Sequence, residues 1–162
     1  MELKMNRVFI IFILLFCSVF SYSAERDESE IIEVHETDYE MNNAMLHANK
    51  SLDLFINRFK NPKEGDSNFS LKVMISDDHG VEHFWVSDIV IKDAGFEGYI
   101  ANEAKTVRLV NIGQKVNFGP DIVTDWSYDH EGVKQGAFTL KVLLKRMPKV
   151  QADYYKNAVG WD

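Results

Sequence analysis

Between Met41 and Phe59 apolar side chains recur at spacings of four and three: Met41, Met45, Ala48, Leu52, Phe55 and Phe59, with Ala44 and Ile56 widening the stripe. Asn42, Asn43, Asn49, Lys50, Asp53, Asn57 and Arg58 fill the opposite side. This predicts one long amphipathic helix. Thr37-Asp-Tyr-Glu reads as its capping box, with Thr37 accepting from the amide three residues on and Glu40 reaching back. Pro62 ends it, because the residue before a proline is driven out of helical geometry. Burying the stripe would contribute roughly 10 kcal/mol gross, so the helix should pack on the rest of the domain. His47 falls off the stripe and is expected to be exposed.

From Phe69 the period changes to two. Phe69, Leu71, Val73 and Ile75 alternate with Ser70, Lys72, Met74 and Ser76, the pattern of a half-buried strand. The turn formers Asp77, Asp78, His79 and Gly80 follow, then the β-branched and aromatic run Val81 to Ile91, so a hairpin joins the two. Gly95 and Gly98 suggest a bend or bulge in the next strand. Val107 to Val110 and Lys115 to Phe118 give two short alternations, Asp121 to Tyr128 another strand, and Asp129 to Gly132 a turn chemically like the first. Ala137 to Lys145 reads as the last strand, and the tail from Met147 as a short helix around Ala152 to Asn157. The expected class is α+β. One long N-terminal helix packs on a strongly bent antiparallel sheet, with barrel-like closure as its extreme form.

The start of the chain carries Lys4 and Arg7 before the apolar stretch Val8 to Phe20, then small residues: a secretory signal peptide. That stretch is short of the roughly 18 to 20 apolar residues that cross a bilayer as a helix. Cleavage near Ser23, or after Ala24, gives a periplasmic or secreted protein with no stable membrane insertion afterwards. Bulky Phe16 precedes Cys17, where a lipid-attachment box has a small residue. With Cys17 removed no cysteine remains, so neither disulfide nor thiolate chemistry is available. Residues 1–23 are thus the signal, 24–37 an acidic flexible leader, 38–146 the domain and 147–162 a tail.

Eight of the chain's 25 acidic residues fall between Glu25 and Glu40, and the formal net charge is −7. The body from Met41 on is nearly neutral and has no basic stripe, so nucleic acid is not an expected partner. A monomer is expected.

His79, Glu82 and His83 match the H-x-x-E-H spacing of one class of zinc proteases. That chemistry needs both histidines on one helical face. Here Gly80 and the Val, Phe and Trp around them favour a turn and a strand, in which residues four apart lie about 13 Å from each other. No metal and no cofactor are therefore expected. As a strand, the segment projects His83 and Trp85 from one face and Glu82, Phe84 and Val86 from the other. There is no G-x-S-x-G elbow, phosphate-binding glycine loop or dinucleotide fingerprint.

Met41 to Phe55, Phe69 to Val73, "VEHFWV", "FEGYIAN", "IGQKVNF" and "DWSYDHEGVKQGAFTL", in this order, resemble the YegJ-type bacterial domain of unknown function from about Asp38 to Leu144. Ala104 stands where that family commonly has a proline. The resemblance implies no established activity, substrate or catalytic residue. It makes Glu82, His83, Trp85, Asp125 and Trp126 the candidate site, with Tyr128 extending the surface from the strand of Trp126. The leading expectation is a non-enzymatic module of the cell envelope that binds a protein or peptide through one sheet face and an edge strand. The alternative is a hydrolase-like enzyme using His83 with Glu82 or Asp125.

Overall fold

A computed structural model describes residues 38–158. The signal peptide, its cleavage site, the leader and the Thr37 cap lie outside the described residues.

The helical stripe is present, but as two helices, α1 (Tyr39–Lys50) and α2 (Leu52–Lys60). Asp38 is the N-cap, accepting from the Met41 amide at 3.1 Å. Glu40 does not reach back; it pairs with Lys145 at 2.9 Å. The break falls at Ser51, whose hydroxyl bonds to the carbonyls of His47 and Ala48 at 2.7 and 3.2 Å, so side-chain bonding competes with the helical ladder. Met41, Ala48, Leu52 and Phe55 are buried as the stripe requires.

Six antiparallel strands follow in the spatial order β4-β3-β2-β1-β5-β6. They are β1 (Asp66–Asp77), β2 (Gly80–Lys92), β3 (Gly95–Ile100), β4 (Lys115–Phe118), β5 (Val123–His130) and β6 (Val133–Gly136). The sheet is open, with β4 and β6 as its edges, and does not close into a barrel. The β1–β2 hairpin turns at Asp78 and His79, with Asp77 opposite Gly80. β2 and β3 are bulged between Ser87 and Val90, where a side chain on Gly98 would collide with Val86 and the Ser87 carbonyl. The alternation predicted at Val107 to Val110 forms no strand. Both valines are buried, but three residues apart in an irregular loop.

α1 and α2 cover one face of the sheet. There Leu71, Val73, Phe84, Val86, Phe96 and Ile100 meet Phe55 and Leu52 in one core. Trp126 belongs to this core; its indole N–H donates to the Ala48 carbonyl at 3.2 Å and to the Ser51 hydroxyl at 3.1 Å. The helix break thus places the Ser51 hydroxyl as an acceptor at the indole N–H.

The segment read as a last strand is instead a helix, α3 (Phe138–Arg146). Gly136 and Ala137 both have positive φ, which turns the chain out of β6. The cap then comes from far away in sequence: Asp125 of β5 accepts from the Phe138 and Thr139 amides at 3.1 and 2.8 Å. The tail helix is α4 (Lys149–Ala158), packed on α3 with Ala152 buried.

Asp66 ties α2 to the sheet. It takes Arg58 Nε at 2.5 Å, His130 Nδ1 at 2.9 Å and the Lys63 amide at 2.7 Å. The Arg58 guanidinium, with the Lys63 amide and His130, lowers its carboxyl from 3.8 to about 2 despite burial. A carboxyl lowered on folding stabilises the fold above its unfolded value and ceases to as the pH falls through the folded one. This contribution is therefore complete above about pH 4 and lost between about pH 4 and 2. Melting curves across that range should show a steeper loss of stability in the native chain than in Asp66→Asn; identical slopes would refute the role.

Candidate functional site

The candidate residues divide between the two faces of the sheet. Lys72 pairs across with both Trp85 and Asp125, and His83 lies beside Thr124, so these side chains share the face without α1 and α2. Trp126 and Tyr128 do not extend that surface. They point the other way, stacked on one another at 6.1 Å within the aromatic core, because residues adjacent in a strand alternate sides. Glu82 also projects from the core face, at the beginning of β2.

Asp125 is fully buried. One oxygen accepts from the amides of Trp126 and Phe138 at 2.8 and 3.1 Å, the other from the amide and hydroxyl of Thr139 at 2.8 and 2.6 Å. Burial raises its carboxyl, and these hydrogen bonds with the charge of Lys72 oppose the rise. Lys72 donates to the Thr139 hydroxyl at 3.1 Å and lies 5.6 Å from the Trp85 ring centre; burial lowers its ammonium. His83 Nδ1 faces Thr124 Oγ1 at 2.9 Å, and burial plus the Lys72 charge lower the imidazole to about 4, leaving it neutral at neutral pH. Asp125 therefore spends its acceptors on α3 and on the Trp126 amide of its own strand, and His83 has Thr124 as its partner. The two share one face, but β1 runs between their strands and no hydrogen bond joins them into an acid-base couple.

His79, Glu82 and His83 are not brought together either. His79 is exposed in the turn, His83 lies on the face without α1 and α2, and Glu82 accepts from the Lys105, Thr106 and Val107 amides. Among the described residues no group of three or more His, Cys, Asp or Glu side chains forms a metal-binding cluster.

The sequence reading missed an apolar groove on the core face, about 340 Å³ in volume. Val73 and Ile75 of β1, Val116 and Phe118 of β4, Val110 of the loop and Ile122 form most of its walls, with Gln114 and Asn117 as the polar residues at its border. β1 and β4 are not neighbours, so the sheet curls around this space. Its signal in the sequence was the Val107 to Val110 alternation, apolar but too short to be a paired strand.

The groove adjoins the free edge of β4. The Ile100 amide bonds to the Gln114 carbonyl, and β3–β4 pairing continues with Tyr99 opposite Lys115 and Glu97 opposite Asn117. Alternation of the antiparallel ladder then turns the N–H and C=O of Lys115 and Asn117 outward. Their side chains share a face with Tyr99 and Glu97, while Val116 and Phe118 line the groove.

No solved structure matches the chain. "Uncharacterized protein YegJ" of Escherichia coli K12 is 30% identical over 149 residues, 92% of this chain and 95% of that one. A "putative ankyrin repeat protein" of Neisseria meningitidis serogroup B is 27% identical over 81 residues, 50% of this chain and 32% of that protein. The family pattern described as "uncharacterized protein conserved in bacteria (DUF2314)" matches residues 38–162, the whole described domain. The chain belongs to the bacterial DUF2314 family.

Proposed function

We propose that this domain is a non-enzymatic peptide-binding module that adds an extended segment of a partner protein to the edge of β4. The observation that carries the reading is the groove beside that edge. In strand addition, outward backbone groups hold the incoming chain while pockets take alternate side chains. Lys115 and Asn117 supply the first, and the groove of about 340 Å³ the second. That volume falls within the range of about 300 to 1,000 Å³ usual for ligand pockets. The chosen segment is extended, with large apolar residues at every second position. The signal-like start Lys4 to Phe20 supports action outside the cytoplasm, in the cell envelope.

The test exploits the edge geometry. A proline at an outward-facing edge position removes one donor and leaves the inner ladder intact. Peptides selected from a nine-residue random library on the full chain should be enriched in alternating apolar residues. In nuclear magnetic resonance titrations they should shift the signals of Lys115 to Phe118 and Val110. Asn117→Pro should weaken them by about tenfold or more, as expected for losing a backbone hydrogen bond from an ordered pairing. Failure to select any binder, or selection of peptides indifferent to Asn117→Pro, would defeat the reading.

A further inference from the structure

The amides of residues 105 to 109 lie in single file on two carboxylates. Lys105, Thr106 and Val107 donate to Glu82 at 2.9 to 3.2 Å, and Arg108 and Leu109 to Asp77 at 2.6 and 3.1 Å. Both acceptors belong to the β1–β2 hairpin, on either side of its turn. Among the described hydrogen bonds, none joins these five amides to another backbone group. The loop is tied to the sheet at its ends, where the Ala101 amide donates to the Trp85 carbonyl and the Gly113 amide to the Ile100 carbonyl, each at 2.8 Å. Between those ends it buries Val107 and Val110 and presents Leu109 and Val110 to the groove.

We propose that residues 101–114 form a lid over the groove, latched by Asp77 and Glu82, and that the two carboxylates thereby control whether the groove has a wall. This rests on reading the groove as the peptide anchor and adds what governs it. The lid connects β3 to β4 without contributing a strand, so lifting its middle breaks no bond of the β-ladders. Segments of this kind open locally, at less cost than unfolding the domain. Two acceptors shared among five donors also make the opening collective: freeing Glu82 releases three consecutive amides at once. Asp77 and Glu82 are positioning residues, acting on a ligand through Leu109 and Val110.

Hydrogen exchange on the full chain separates this from a general structural role. In Glu82→Gln, and separately in Asp77→Asn, amides 105 to 109 should exchange about tenfold or more faster, the equivalent of one lost charge-assisted hydrogen bond. Ladder amides of β1 and β2 should keep their native rates. Unchanged protection at 105 to 109 in both variants, or loosening only in step with the ladders, would overturn the latch. The library-selected peptides should bind both variants more weakly. If exchange accelerates yet their affinity holds, control of the groove is overturned and the edge-binding reading stands. If the native chain binds no peptide, the edge-binding reading falls and with it the proposed control, whereas the exchange data still decide whether the latch exists.

Discussion

Replacing Asp125 by alanine should cost about 3 to 5 kcal/mol of stability, the range for removing one partner from a buried charged network. The carboxylate is fully buried, and its loss strips the α3 amides of Phe138 and Thr139 of their acceptor. It also leaves the Lys72 ammonium in the same buried region without its counter-charge. Denaturant unfolding of Asp125→Ala should show this loss, and circular dichroism should show reduced helix. A cost below about 1 kcal/mol would mean that α3 starts without this cap. Such a result would return Asp125 to the list of groups available for chemistry.

Trp126→Ala should be comparably damaging, about 3 to 5 kcal/mol, because it empties the centre of an aromatic cluster and frees the acceptors at the α1–α2 break. Trp85→Ala on the opposite face should cost about 1 kcal/mol, as for a half-buried side chain whose neighbours are already satisfied. The contrast matters more than either value. Equal losses in the two variants would place Trp85 in a core as well and leave the face without α1 and α2 with no exposed aromatic centre. A near-native Trp126→Ala would contradict the packing described above.

The parts of this fold that were readable in the sequence are those whose causes are local. Leu71 and Val73 alternate with polar residues, so β1 could be assigned by period, and the turn formers with the β-branched and aromatic run after them gave β2 and the sides of Phe84 and Val86. The stripe from Met41 to Phe59 likewise announced a helical surface, although the Ser51 side chain, which nothing in the stripe betrays, divides it in two. What was missed has distant causes. Ala137 to Lys145 carries enough alternation to pass for a strand, and it becomes helical where an acceptor twelve residues before Ala137 caps its first turn. Glu82 stood as a candidate site residue and, in the alternative reading, as a catalytic partner of His83. Its acceptors are instead committed to amides more than twenty residues further on, a pairing that no spacing rule encodes. The groove was invisible for the same reason, since β1 and β4 meet around it only through the curl of the sheet.

The shortness of β4 has a kinetic consequence. A strand of four residues turns outward the backbone of just Lys115 and Asn117, so a segment docked there as proposed would gain few main-chain bonds beyond what its side chains found in the groove. Differences among related complexes reside mostly in the dissociation rate, and a contact this small favours brief residence times and rapid exchange. Lasting attachment would then require several such domains to engage one partner array, where each release is followed by recapture at high local concentration.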